Sequence, residues 1–395
     1  MKAYKRFAST VAVLLTLSCT AASAQRAGTS TVVESLRWSP LIEFDNQIFP
    51  AVILGMSTRR IEKLPPNYLG DPNGSLGIEF VNPHPGARVK VSIKVDGLGE
   101  ESTFEGATPD DQGRLEIFPS MRFDSRSLAR VQESFPTTAT FRVWTDGELL
   151  GEQTRTVQVR AVNDVPFNYR SRDGQTQDLS ALFAAFVNEN HPSINEILKQ
   201  AIDAKAVQRF IGYQGSSDDV MRQVFAIWNV LQRRGVTYSS ITRPSGDSEI
   251  VHSQHVRFLD ESVRFAQANC VDGTVLFASI LYKIDLAPVL VIKPGHMFLG
   301  VNLSRPTTGQ RPNMIFLETT LIGNPGLKSF RKNWIFLTES GYRDSESYRQ
   351  FIHAVNVGNQ TFQSMANALA AHQPSFQVID IAAARKSGIA AIPRF

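Results

Sequence analysis

Apolar and polar positions follow two different periods along this chain. Between Thr31 and Val162 the pattern is short and strand-like. Thr31-Val32-Val33, Ala51 to Leu54, Leu76 to Val81, Val89 to Val95, Thr140 to Trp144 and Gln153 to Val159 each read as strands. Residues 89–95 alternate strictly, as expected of a strand with one face on a core. Asp71-Pro72-Asn73-Gly74 and Asp146-Gly147 supply turns. Several short strands at this spacing predict an immunoglobulin-like β-sandwich over 25–162, although no cysteine pair marks it as an antibody-type domain. Asp110-Asp111 and Asn82-Pro83-His84-Pro85 read as solvated loop.

Asn163-Asp164-Val165-Pro166 marks a change of period from 2 to 3.6. Leu179 to Asn188 has helical spacing, and a second helix is expected from Pro192 to about Arg209. Ser216 to Asp219 caps a third, with Val224, Phe225, Trp228 and Leu231 on its buried stripe and Gly235 ending it. Val236-Thr237-Tyr238 is extended, and 239–265 reads as loop and short helix. A further helix begins at Cys270 and ends near Tyr282, followed by strands at Ala287 to Ile292, from His296, and at Met314 to Leu317. Lys328 to Arg349 is mixed, Ser345 to Leu369 is helical with an interruption at Val355 to Gly358, and Val378 to Ile381 forms a last strand. The fold class is therefore α+β, with an all-β part followed by an α+β part over 163–395.

The first residues change the picture of where the protein works. Lys2, Lys5 and Arg6 precede the short apolar run Val11 to Leu17, and Ala22-Ser23-Ala24 forms a small-residue cleavage site before Gln25. This is the layout of a signal peptide over 1–24, and it predicts an exported protein, periplasmic or secreted, of bacterial type. Cys19 supports a lipoprotein as the lesser alternative. No later stretch has the length and apolarity of a transmembrane helix. The signal carries three basic residues and no acidic one, so the formal charge of +4 falls to +1 on cleavage. With no basic stripe and no nucleic-acid motif, a nucleic-acid partner is not expected.

Cysteine usage then singles out one residue. The chain has 2 Cys, and Cys19 leaves with the signal, so Cys270 stands alone in the mature protein. A lone thiol in an oxidising compartment is buried and inert or it is used. Asn269 before it and Asp272-Gly273 after it make a polar helix start, where unpaired N–H groups favour an ionised sulfur. His296 follows the turn Pro294-Gly295, and Glu318 ends the strand Met314 to Leu317. Cysteine, histidine and acid in this order fit a nucleophile, its base and the group that orients the base. His252 and His255, spaced to share one helical face, precede Cys270 and raise a zinc site with it, but the ligand set is incomplete and no His-Glu-x-x-His pattern occurs.

The stretch Asn269-Cys270-Val271-Asp272, Pro288-Val289-Leu290-Val291, His296 and Glu318 resembles the transglutaminase-like superfamily of papain-like cysteine enzymes. The tryptophan-bearing helix and Val236-Thr237-Tyr238 also look like that family's run-in, so the resemblance covers about 217–322. It departs from the family pattern in carrying Glu where Asp is usual, and in lacking a polar aromatic residue beside His296. The resemblance implies acyl transfer through a Cys270–His296–Glu318 triad on a protein or peptide-like amide of the cell envelope, by hydrolysis or by transfer to an amine. It further implies an oxyanion hole from the Cys270 N–H and an upstream side chain, with Gln267 and Gln254 as candidates. Calcium is used by some relatives of that family, but no calcium-loop pattern occurs here, and no cofactor or metal is expected. The alternative is a catalytically inactive member of the same fold that serves as an envelope binding or scaffold protein.

Overall fold

The computed structural model describes residues 37–61, 65–110, 113–241, 245, 248–307, 309, 312–324, 342 and 345–394. The expected signal segment over 1–24, the strand expected at Thr31 to Val33 and most of Lys328 to Arg349 lie outside them. The fold is mixed α+β with several sheets. Among the described residues no helix is long and apolar enough to cross a membrane.

The first part comprises β1 (Arg37–Ile42), a short turn α1 (Glu43–Asn46), β2 (Gln47–Ile48), α2 (Pro50–Gly55), β3 (Tyr68–Gly70), β4 (Leu76–Val81), β5 (Arg88–Val95), β6 (Ser102–Ala107), β7 (Arg114–Phe118), α3 (Ser125–Ala129), β8 (Phe135–Thr145) and β9 (Glu148–Val159). They build two sheets, of order β1-β4-β7-β3 and β2-β9-β8-β5-β6. Alternation drives this arrangement: Ile78, Phe80 and Ile117 from one sheet and Val91, Ile93, Phe141 and Val157 from the other belong to one apolar core. Asp146 and Gly147 both take positive φ, 48° and 90°, which suits the tight turn joining β8 to β9. Two pairings, β3 with β7 and β2 with β9, are parallel.

One expected strand here is a helix. Ala51 to Leu54 lies within α2, which Pro50 opens at a position where its missing N–H costs nothing. A run of four apolar residues does not distinguish a buried strand from a buried helix, and the packing of α2 against later elements decides it.

The second part comprises β10 (Asp164–Arg170), β11 (Thr176–Asp178), α4 (Pro192–Asp203), α5 (Ser217–Arg233), β12 (Thr237–Tyr238), β13 (Val251–His255), α6 (Leu259–Phe265), β14 (Gln267–Ala268), α7 (Cys270–Lys283), β15 (Pro288–Lys293), β16 (His296–Asn302), β17 (Met314–Leu317), α8 (Glu346–Ser364), α9 (Ala366–Ala370), β18 (Gln377–Asp380) and α10 (Ile381–Lys386). The helix expected over Leu179 to Asn188 is a tighter 3-10 turn, Ser180–Phe186, and the one expected to reach Arg209 stops at Asp203. Ser216 and Asp219 cap α5 reciprocally, and Gly235 follows it with φ +77°.

β15 to β18 form an antiparallel sheet of order β17-β16-β15-β18. Leu290, Leu299, Val301, Ile315 and Leu317 join the main core with α7. Val289, Val291, Phe298 and Phe316 join a smaller core closed by Phe362, Met365 and Leu369. The interruption expected at Val355 to Gly358 does not occur, because α8 runs through it. A Cβ on Gly358 would lie 2.4 Å from the Phe316 carbonyl oxygen, so glycine is there to let α8 approach the β17 backbone.

The described residues form one compact unit. The C-terminal segment packs against both parts, with Ala390 N–H donating to the Gly55 carbonyl (2.8 Å) and Ile392 N–H to that of Ala185 (2.8 Å). The expected boundary near 163 falls where β10 begins and pairs with β13.

Candidate active site

Cys270 is the first residue of α7, and the local sequence explains why the helix begins there. The Asn269 side chain accepts from the N–H groups of Val271 (2.8 Å) and Asp272 (2.9 Å), while the Asp272 carboxylate accepts the Asn269 N–H (3.0 Å). Asp272 is fully buried and also accepts from the Arg257 N–H (2.8 Å) and guanidinium (2.8 Å). Burial raises the Asp272 pKa above the ordinary carboxylate value, against the opposing pull of Asn269 and Arg257. The helix from Val271 to Leu281 is buried throughout, so Cys270 sits half-buried on a rigid element.

The other two groups come from adjacent strands. Gly295, with φ +70°, turns the chain from β15 into β16, and His296 is the first residue of β16, opposite Lys293. β16 pairs with β17, and Glu318 follows directly on the latter. Helix and acid are brought close by Gly273, whose added Cβ would lie 3.0 Å from the Thr319 hydroxyl. His296 Nε2 and Glu318 Oε2 are 2.7 Å apart, and Glu318 is 5% exposed. Hydrogen bonding with Cys270, then with Glu318, raises the His296 pKa to about 9 against the cost of burial. Burial opposes ionisation of Glu318, but hydrogen bonds from His296 and Thr320 prevail and hold its carboxyl below the usual range. Cys270, His296 and Glu318 are thus brought together, with His296 between the thiol and the acid.

Cys270 and His296 open onto a cleft of about 500 Å³. Phe167, Phe183, Ile292 and Met297 give it apolar walls, and Gln254, Asp178 and Gln377 are among its polar ones. The two glutamines proposed from sequence part company here. Gln254 lines this cleft, whereas Gln267 lines a separate pocket of about 330 Å³ with His255, Arg257 and Glu261. Gln267 is drawn away because β14 pairs with β12.

The C-terminal segment also reaches the site. Pro374, Ser375 and Gln377 line the cleft, and Gln377 Nε2 donates to Asp178 (2.6 Å), joining β18 to β11. Nothing local in the sequence marks these residues, since it is the pairing of β18 with β15 that carries them there.

His252 and His255 lie on strand β13, not on one helical face. Three residues apart on a strand, they face opposite ways. His252 stacks on Phe167, and His255 meets Asp164 at 3.0 Å. Among the described residues no group of three or more His, Cys, Asp or Glu side chains is placed to hold a metal ion. No protein-family model matches the chain, and no curated protein matches it in sequence.

Proposed function

We propose that this is an exported thiol enzyme of transglutaminase-like fold, preceded by an immunoglobulin-like sandwich, that acts on protein or peptide-like amides in a bacterial envelope. One observation carries the reading: Cys270, at a capped helix start, meets a histidine whose Nε2 is bonded to a buried glutamate. Proteins that use a cysteine only for packing have no need of that histidine–acid pair.

In this reading the Cys270 thiolate attacks the amide carbonyl carbon while His296 carries the proton. The C–N bond breaks as His296 protonates the departing amine, leaving a thioester on Cys270. Neutral His296 then takes a proton from water or an acceptor amine as it adds to the thioester, and the thiolate leaves. Glu318 keeps the imidazole oriented and stabilises its charged form. The Cys270 N–H and Gln254 are the donors for the oxyanion, the glutamine because it lines the same cleft. Phe167, Ile292 and Met297 suit an apolar group beside the scissile bond.

The test is alkylation of Cys270 by iodoacetamide as a function of pH, in the mature chain and in His296→Ala. An ordinary cysteine, with a pKa of about 8.5, reacts slowly at pH 6. Rapid labelling at pH 6 that is lost in His296→Ala is the expected result. Absent labelling, or labelling indifferent to His296, refutes the enzyme and leaves the inactive binding or scaffold protein.

A further inference from the structure

We propose that Thr320 is a positioning residue that locks the Glu318 carboxylate in the orientation His296 requires. The inference rests on the triad reading above and deepens it. Glu318 has two carboxylate oxygens with separate duties. Oε2 faces His296 Nε2 at 2.7 Å, and Oε1 accepts from the Thr320 hydroxyl (2.6 Å) and the Thr320 N–H (3.2 Å). A glutamate carries one more rotatable bond than an aspartate, so without a second tether its carboxylate is free to swing away from the ring. Its backbone is anchored as well, since the Glu318 N–H donates to the Ala354 carbonyl on α8 (3.1 Å). Backbone and Oε1 are thus both held, and the remaining freedom of the side chain is spent in aiming Oε2. Charge-assisted bonds of this kind are short and strong, and buried members of such a network act together.

Thr320 is not among the residues lining the cleft, and its hydroxyl and N–H both bond Glu318, so its route to His296 is through that carboxylate. The titratable groups on His296 itself are Cys270 from α7 and Glu318 from the end of β17. Lys293 on β15 is its register partner, and Asp178 on β11 lines the same cleft. Thr320 offers no charge of its own, which makes its effect separable from theirs.

The experiment uses the mature full-length chain with Thr320→Val, which keeps the shape and the backbone N–H but removes the hydroxyl, and Thr320→Ser, which restores it. Two readouts are taken: the pH profile of Cys270 alkylation by iodoacetamide, and the titration of the His296 imidazole by NMR, assigned with His296→Asn. In Thr320→Val the His296 midpoint is expected to fall from about 9 toward the ordinary value. A fall of about one unit is a tenfold change in the proton equilibrium. Labelling at pH 6 is expected to fall with it, and Thr320→Ser to recover both. Thr320→Ala replaces Thr320→Val if the latter does not fold. A Thr320→Val titration that overlays the parent, or a Thr320→Ser variant as impaired as Thr320→Val, overturns the inference. Failure of the parent chain to label at pH 6 refutes the enzyme reading instead, and the imidazole titration still decides the role of Thr320.

Discussion

Gly358→Ala tests whether the approach of α8 to β17 is as close as described, and whether it matters for the site. In an exposed helix the change would stabilise, since glycine is about 1 kcal/mol worse than alanine in a helix interior. Here the new Cβ would lie 2.4 Å from the Phe316 carbonyl oxygen, 2.5 Å from its carbon and 2.8 Å from the Leu317 nitrogen. All three are backbone atoms of a paired strand, so no side chain can rotate out of the way. Reaching ordinary contact requires α8 to withdraw by about 1 Å, which loosens Phe316 against Phe362 and the core beside them. Overpacking of this kind costs about 1–3 kcal/mol, and contact with rigid backbone places it at the upper end. After the helical gain, a net loss of about 2 kcal/mol is expected. Ala354, one turn earlier on the same helix face, accepts the Glu318 N–H, so the shift also moves Glu318 relative to His296. Urea unfolding gives the first quantity and Cys270 labelling at pH 6 the second. A variant as stable as the parent, or more so, refutes the argument.

Two further outcomes follow from the charges. The folded-state pKa of His296 is raised to about 9 from an ordinary 6.5, so the pair's contribution is fully present below about 6.5 and is lost as pH rises through about 9. The shift corresponds to about 3 kcal/mol at most, and partial solvent exposure of the ring reduces it to about 1–2 kcal/mol. Unfolding free energies measured across that window should fall by this much more in the parent than in His296→Asn, and equal slopes would contradict the assignment. Arg257→Leu leaves the Asp272 carboxylate buried without its cation, with an expected loss of about 3 kcal/mol at pH 7. The loss should shrink at pH 4, where Asp272 can take up a proton, and an equal loss at both pH values would show that the ion pair is not its source.

How far the sequence reveals this arrangement depends on the range of the interaction concerned. Local chemistry is legible. The alternation of residues 89–95 corresponds to β5, the Ser216 and Asp219 cap to the start of α5, and Asn269 and Asp272 to the start of α7. Each of these rests on groups within a few residues of one another. Signals whose meaning is tertiary read wrongly. Gly358 looks like a break because glycine weakens an isolated helix, yet its purpose is contact with a strand distant in sequence. Ala51 to Leu54 carries no period at all, and His252 and His255 have helical spacing on a segment that pairs as a strand.

The candidate site shows the same division at closer range. The order Cys270, His296, Glu318 can be read along the chain because one helix and two neighbouring strands supply all three, and the antiparallel pairing of β16 with β17 sets the separation of the last two. The cleft in front of them cannot be read this way. Beside Gln254, Ile292 and Met297, its walls include Phe167 and Asp178 from before α4 and Pro374, Ser375 and Gln377 from the C-terminal segment, with Gln377 bonded to Asp178. Those segments are far in sequence from Cys270, His296 and Glu318, and only the pairing of β10 with β13 and of β18 with β15 brings them to the same opening.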